Sequence, residues 1–76
     1  MEIKAQFGLV LRQRRTLKKM TQQVLADAAG LSLRYIQELE AGDKQPTLGT
    51  TFDIAIGLDM TPQQLVAAVW KISAEN

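Results

Sequence analysis

Apolar residues recur at intervals of three and four through most of this chain, the pattern of helices that each bury one face. Ile3, Phe7 and Leu11 share such a face, and the aliphatic stem of Arg14 extends it, so a first helix is expected over residues 3–18. Gly8 sits inside this stretch at a cost of about 1 kcal/mol. Three later helix starts share one local device, an N-cap hydroxyl preceded by an apolar residue that packs one turn in. Thr21 caps a second helix with Met20 set against Leu25, and Ser32 caps a third with Leu31 set against Ile36. Thr61 caps a fifth, with Pro62 at its first position, Gln64 closing a capping box and Met60 meeting Leu65. Between them, Thr47 behind Pro46 opens a fourth helix over residues 48–56, and Gly57 is expected to mark its end. No alternating β-type run, long linker, repeat or low-complexity stretch interrupts this order. The expected fold is all-α, a compact bundle of five helices forming one domain over residues 1–76.

The second and third helices are joined only by Ala29-Gly30-Leu31-Ser32. So short a link makes the two axes cross sharply, and Gly30 supplies the positive φ the corner needs. Val24, Leu25, Ala28, Leu31, Ile36 and Leu39 are expected to close a core beneath the pair, with Ala26 small where helices approach. Leu33, Arg34, Gln37 and Glu38 are left facing outward on the third helix.

Composition adds boundaries. Apolar residues make up 46% and charged residues 22% of the 76, which suits a folded globular domain. Without cysteine there is no disulfide or thiolate metal site to reinforce a small core. No apolar stretch approaches a membrane span and no signal-peptide pattern opens the chain, so a cytoplasmic home, at the nucleoid, is expected. The net charge of +1 conceals an asymmetry: residues 1–34 hold seven basic groups against two acids, and residues 35–76 hold two against six. Such a division suits a polyanion on one face, although a basic helix face that is merely solvated has the same composition.

The run Thr21-Gln22-x-x-Leu25-Ala26-x-x-x-Gly30-Leu31-Ser32-x-x-Tyr35-Ile36-x-x-Leu39-Glu40-x-Gly42-x-x-x-Pro46 resembles the helix-turn-helix of the phage repressor and Cro family, the XRE-like regulators. The resemblance extends back to Phe7, Leu11 and Arg15 and forward through Leu48, Ile54, Leu58 and Leu65, covering roughly residues 7–66. It implies a repressor-like DNA-binding domain whose helix-turn-helix spans about residues 21–40 and whose recognition helix, residues 32–39, enters the major groove.

Carried over by position, the resemblance implies that Ser32, Leu33, Arg34, Gln37 and Glu38 lie nearest bases and flanking phosphates. Arg34 is the best candidate for base readout because its fork matches guanine O6 and N7. Leu33 departs from the polar residue common in the family and can meet only a thymine methyl. Glu38 can accept from a cytosine amino group, or exclude wrong partners among the phosphates. Gln22 matches a phosphate-touching residue, and Lys44 lies in the counterpart of a phosphate-facing loop shaped by Gly42. Tyr35 offers a hydroxyl to phosphate or is an amphipathic residue half-buried beside the core. Arg15 and Glu40 match a family pair that forms a largely buried salt bridge. Arg12, Arg14, Lys18 and Lys19 are expected to be more exposed, either reaching the phosphate backbone or simply solvated.

One recognition helix reads few base pairs, and family members usually bind as two-fold dimers on half-sites about 34 Å apart. Ile56, Val66, Val69 and Trp70, with Ile72, exceed what one core needs, so a homodimer contact is expected over about residues 50–73 with Trp70 as its anchor. The competing reading has Trp70 closing its own core.

The function expected is sequence-specific binding of double-stranded DNA by a homodimeric transcriptional regulator acting on a two-fold symmetric operator. The alternative is an antitoxin-like or protein-interaction module on the same fold. An enzyme is disfavoured, because the absence of His and Cys removes the usual bases, thiol nucleophiles and zinc ligands, and no Gly-rich phosphate loop appears. No catalytic residue, metal site, cofactor or membrane partner is therefore expected. The length leaves no room for an effector domain, so control by concentration, dimerisation and operator arrangement is anticipated, an economy that resembles restriction–modification controller proteins and the smallest phage repressors.

Overall fold

Threonine and serine caps determine where four of the five helices begin. Our computed structural model describes residues 2–75. Its helices are α1 (Ile3–Leu17), α2 (Gln22–Ala29), α3 (Leu33–Glu40), α4 (Leu48–Gly57) and α5 (Pro62–Glu75), with no strand among the described residues. Thr21, Ser32 and Thr47 each accept a hydrogen bond from the backbone N–H three residues on, at 3.0–3.1 Å. Thr61 and Gln64 satisfy each other's backbone N–H, at 3.1 and 2.9 Å, completing the expected capping box. Each cap contributes about 1 kcal/mol and settles one otherwise orphaned donor. Met20, Leu31 and Met60, the residues before three of these caps, pack against the core.

Phe7, Val10 and Leu11 from α1 meet Leu25 and Ala26 from α2, Ile36 and Leu39 from α3, Ile54 and Ala55 from α4, Leu58, and Leu65 and Val69 from α5. α1 lies against α3 and α5, α2 against α3 and α4, and α4 against α5. α1 thus lies between the third helix and the last.

Several expected faces turn out differently. Val24 is about half exposed and Ala28 is exposed, while Ala29 packs on the core instead. The eight residues of α2 include three alanines, one valine and one leucine spread over more than one face, and its inward face is chosen by the neighbouring helices. Arg14 is exposed and lends no stem to the core. Gly57 is the last residue of α4, as expected, while the positive φ beyond it belongs to Asp59 at 57°. A Cβ at Gly57 would lie 3.1 Å from Ala29 Cβ and 3.2 Å from Leu25 Cδ1, so this glycine admits α2 against α4.

Candidate nucleic-acid interface

The corner between α2 and α3 is built as the sequence predicts. Gly30 adopts φ 71° and ψ 32°, and its N–H closes the end of α2 onto Ala26 and Asp27 carbonyls. A left-handed backbone costs an L-residue about 1–2 kcal/mol, which glycine avoids. Beyond the corner, Ile36 and Leu39 are fully buried, which fixes the rotation of α3 and turns Arg34 and Gln37 to solvent. Ser32 is exposed at the N-cap, and Leu33 and Glu38 are half-buried beside this face.

Charge is distributed unevenly around α3. Among the described residues Arg34 has no carboxylate within ion-pair reach, and neither do Arg12, Arg14 or Lys19. Glu38 does have a partner: Lys44 Nζ, from the α3–α4 loop, lies 3.6 Å from its Oε2. Lys18 is similarly near Asp59, at 3.6 Å, in an exposed pair of little energetic weight.

Behind the exposed face of α3 lies a polar clamp. Arg15 Nε donates to Glu40 Oε2 at 2.6 Å, Nη2 to Oε1 at 3.0 Å, and Nη1 to the Met20 carbonyl at 2.9 Å. The hydrogen bond to Glu40 raises the Arg15 pKa; burial opposes this, and the negative charge of Glu40 reinforces it. Gln22 joins the same network, its Nε2 donating to Glu40 Oε1 at 3.2 Å. The amide expected to face a phosphate is therefore tied, by one of its two N–H groups, to the end of α3. Tyr35, half-buried and packed on the core, donates its hydroxyl to Thr50 Oγ1 at 3.3 Å, which joins α3 to the first turn of α4.

The apolar surface lies on α4 and α5. Ile56 is 69% exposed, Val66 53% and Trp70 63%, so Trp70 does not close its own core. Val69 is the exception among the four expected contact residues. It is only 8% exposed and belongs to the core, because the face of α5 that carries Leu65 toward the centre carries Val69 four residues later. Ile72 is likewise half-buried against the core. Sequence reasoning missed Leu48 and Phe52, which precede Ile56 at four-residue steps and stand exposed with it. That spacing was the available signal. Phe52, Val66 and Trp70 line one shallow groove with Pro62, and Leu48, Val66 and Trp70 line another with Ile3.

The helix-turn-helix family model matches residues 11–65, most of the chain and all of the corner, the clamp and the exposed face of α3. The chain belongs to the helix-turn-helix family of DNA-binding transcriptional regulators. It is accordingly a regulator and not an enzyme. Among helix-turn-helix proteins it is 35% identical, over 66 residues, to an uncharacterised HTH-type transcriptional regulator of Sinorhizobium fredii; the match takes in 82% of this chain but only 34% of that protein. The restriction–modification controller protein C.AhdI of Aeromonas hydrophila is 34% identical, with a TM-score of 0.78 over 82% of this chain and 94% of that one. The clp gene regulator ClgR of Corynebacterium glutamicum shares the helix-turn-helix fold at a TM-score of 0.87 and 25% identity, over 95% of this chain and 77% of that one. Among the described residues no helix is long and apolar enough to cross a membrane, and no three potential metal ligands gather.

Proposed function

We propose that this chain reads a two-fold symmetric operator in double-stranded DNA as a homodimer, with α3 of each copy in the major groove. The reading is carried by the opposite fates of neighbouring residues on α3: Ile36 and Leu39 are fully buried, while Arg34 and Gln37 are exposed, Arg34 with no carboxylate partner among the described residues. An unpaired guanidinium on a short raised helix suits a guanine edge, and Gln37 suits an adenine. Ser32, Leu33 and Tyr35 flank this pair. Gln22, through the N–H not given to Glu40, and Lys44, through exchange from Glu38 to phosphate, serve as backbone anchors. The domain boundary at 1–76 goes with this reading, as does a place at the cytoplasmic nucleoid.

Two-fold symmetry is supported by the exposed apolar ridge Leu48-Phe52-Ile56 beside Val66 and Trp70. Large apolar side chains gathered on one face call for a cover, and an isologous contact between two copies supplies one. The likeness to C.AhdI favours a controller-type regulator.

Random-site selection on the purified protein at physiological salt tests the whole reading. A palindromic consensus with half-sites about one helical turn apart is expected. Binding that shows no sequence preference, or a monomer alone in sedimentation with and without DNA, rejects it.

A further inference from the structure

The recognition helix is held at both ends, and the hold at its C-terminal end is supplied by a residue with no route to DNA. Gly8 is buried in α1, facing the last turn of α3. A Cβ at this position would lie 2.6 Å from the Leu39 carbonyl oxygen, 2.9 Å from that of Glu40 and 3.3 Å from the Glu40 carbonyl carbon. All three atoms are backbone, so no side chain can swing aside to make room. Seven residues later, on the same face of α1, Arg15 grips the Glu40 carboxylate. Gly42, just past α3, passes over the first turn of α1, where a Cβ would be 3.4 Å from Ala5 Cα. α1 therefore lies flush along the end of α3 and the start of the loop that carries Lys44. The other end of α3 is set independently, by the Gly30 corner and the Ser32 cap.

We propose that Gly8 is a positioning residue for sequence recognition: by letting α1 touch the α3 backbone, it sets the tilt of the recognition helix and so the reach of Gln37. The inference rests on the reading of α3 as the helix that enters the groove. Its mechanics are those of a lever. An added methyl needs about 0.8 Å more room to reach ordinary van der Waals contact, and core packing gives little elsewhere. Applied at one end of an eight-residue helix about 12 Å long, that displacement is a tilt of about 4°. Arg34, beside the fixed end, moves little. Gln37, one turn farther along, moves by several tenths of an ångström, comparable with the tolerance of about 0.5 Å for a preorganised polar contact.

The test is random-site selection with wild type, Arg34→Ala, Gln37→Ala and Gly8→Ala, each with its folded fraction measured by circular dichroism. The two alanine variants on α3 identify which base positions depend on each side chain. In Gly8→Ala, preference at the Gln37-dependent position should fall about tenfold while preference at the Arg34-dependent position stays within about twofold of wild type. Unchanged preference at every position, or an equal loss at all of them, overturns the proposal. If Gly8→Ala does not fold, Arg15→Lys carries the test, since it loosens the same end of α3 without crowding it and should give the same selective loss. A wild type that selects no sequence rejects the reading of α3 itself, whereas a wild type that selects as Gly8→Ala does rejects only the role of Gly8.

Discussion

Arg15 and Glu40, 25 positions apart, meet in a two-pronged ion pair that joins the end of α1 to the end of α3. Both side chains are largely buried, at 15% and 6% exposure, so neither has water to fall back on if the other is lost. Removing one partner of such a pair typically costs about 3–5 kcal/mol, because the remaining charge is stranded. Arg15→Ala should therefore lower the thermal midpoint by at least about 12 °C in circular dichroism, at about 4–8 °C per kcal/mol for a domain this small. The Arg15 pKa is raised in the folded state, so the stability that depends on Arg15's own charge is present below arginine's ordinary range and is lost only as pH climbs beyond it.

Gln22 tests whether the clamp accepts a neutral partner only. Its amide donates to a carboxylate already shared with Arg15. Gln22→Glu sets a second negative group against Glu40, whereas Gln22→Ala merely removes a donor. The glutamate variant should melt lower than the alanine variant, by about 1 kcal/mol or more in denaturant titration.

Glu38 and Lys44 form a loose pair, 3.6 Å apart, beside the exposed face of α3 proposed to meet DNA. Glu38→Gln frees the lysine and removes a repulsive charge, so affinity for a random duplex should rise severalfold and discrimination should narrow. Lys44→Ala should weaken binding to all duplexes alike and reduce the salt slope by about one unit. Filter-binding or anisotropy titrations over a salt series distinguish the two effects.

Val69 and Trp70 are neighbours with opposite assignments. Val69→Ala should destabilise the fold by about 2 kcal/mol and leave self-association per folded molecule unchanged. Trp70→Ala should leave chemical stability at monomeric concentration within about 0.5 kcal/mol of wild type and shift sedimentation toward monomer. If Trp70→Ala sediments as wild type does, α5 is not the dimer contact.

The contrast between these two residues shows how far the sequence could be read. Thr21, Ser32, Thr47 and the Thr61–Gln64 box were legible because a cap is a contact within one turn, recorded in three or four adjacent letters. Gly30 was legible for the same reason, and the residues of the Arg15–Glu40 pair through resemblance. Val24, Ala28 and Val69 lie on helices with more apolar positions than one buried face needs, and which of them is buried depends on which neighbour arrives from elsewhere in the chain. Gly8 and Gly57 have a second role that adjacent letters do not record. Gly8 reads locally as a blemish, yet a methyl there would strike the α3 backbone; Gly57, rightly read as a stop, also sits where a methyl would crowd Ala29 and Leu25.

The Gly30 corner has a thermodynamic consequence. A corner already closed onto its carbonyls, with the next helix capped behind it, means that the backbone of α3 is ordered before any duplex arrives. Docking then loses little chain entropy and requires no coupled folding. Calorimetry of operator binding should accordingly give a heat-capacity change that matches the dehydrated contact area alone, without the larger negative value of a segment that folds as it binds.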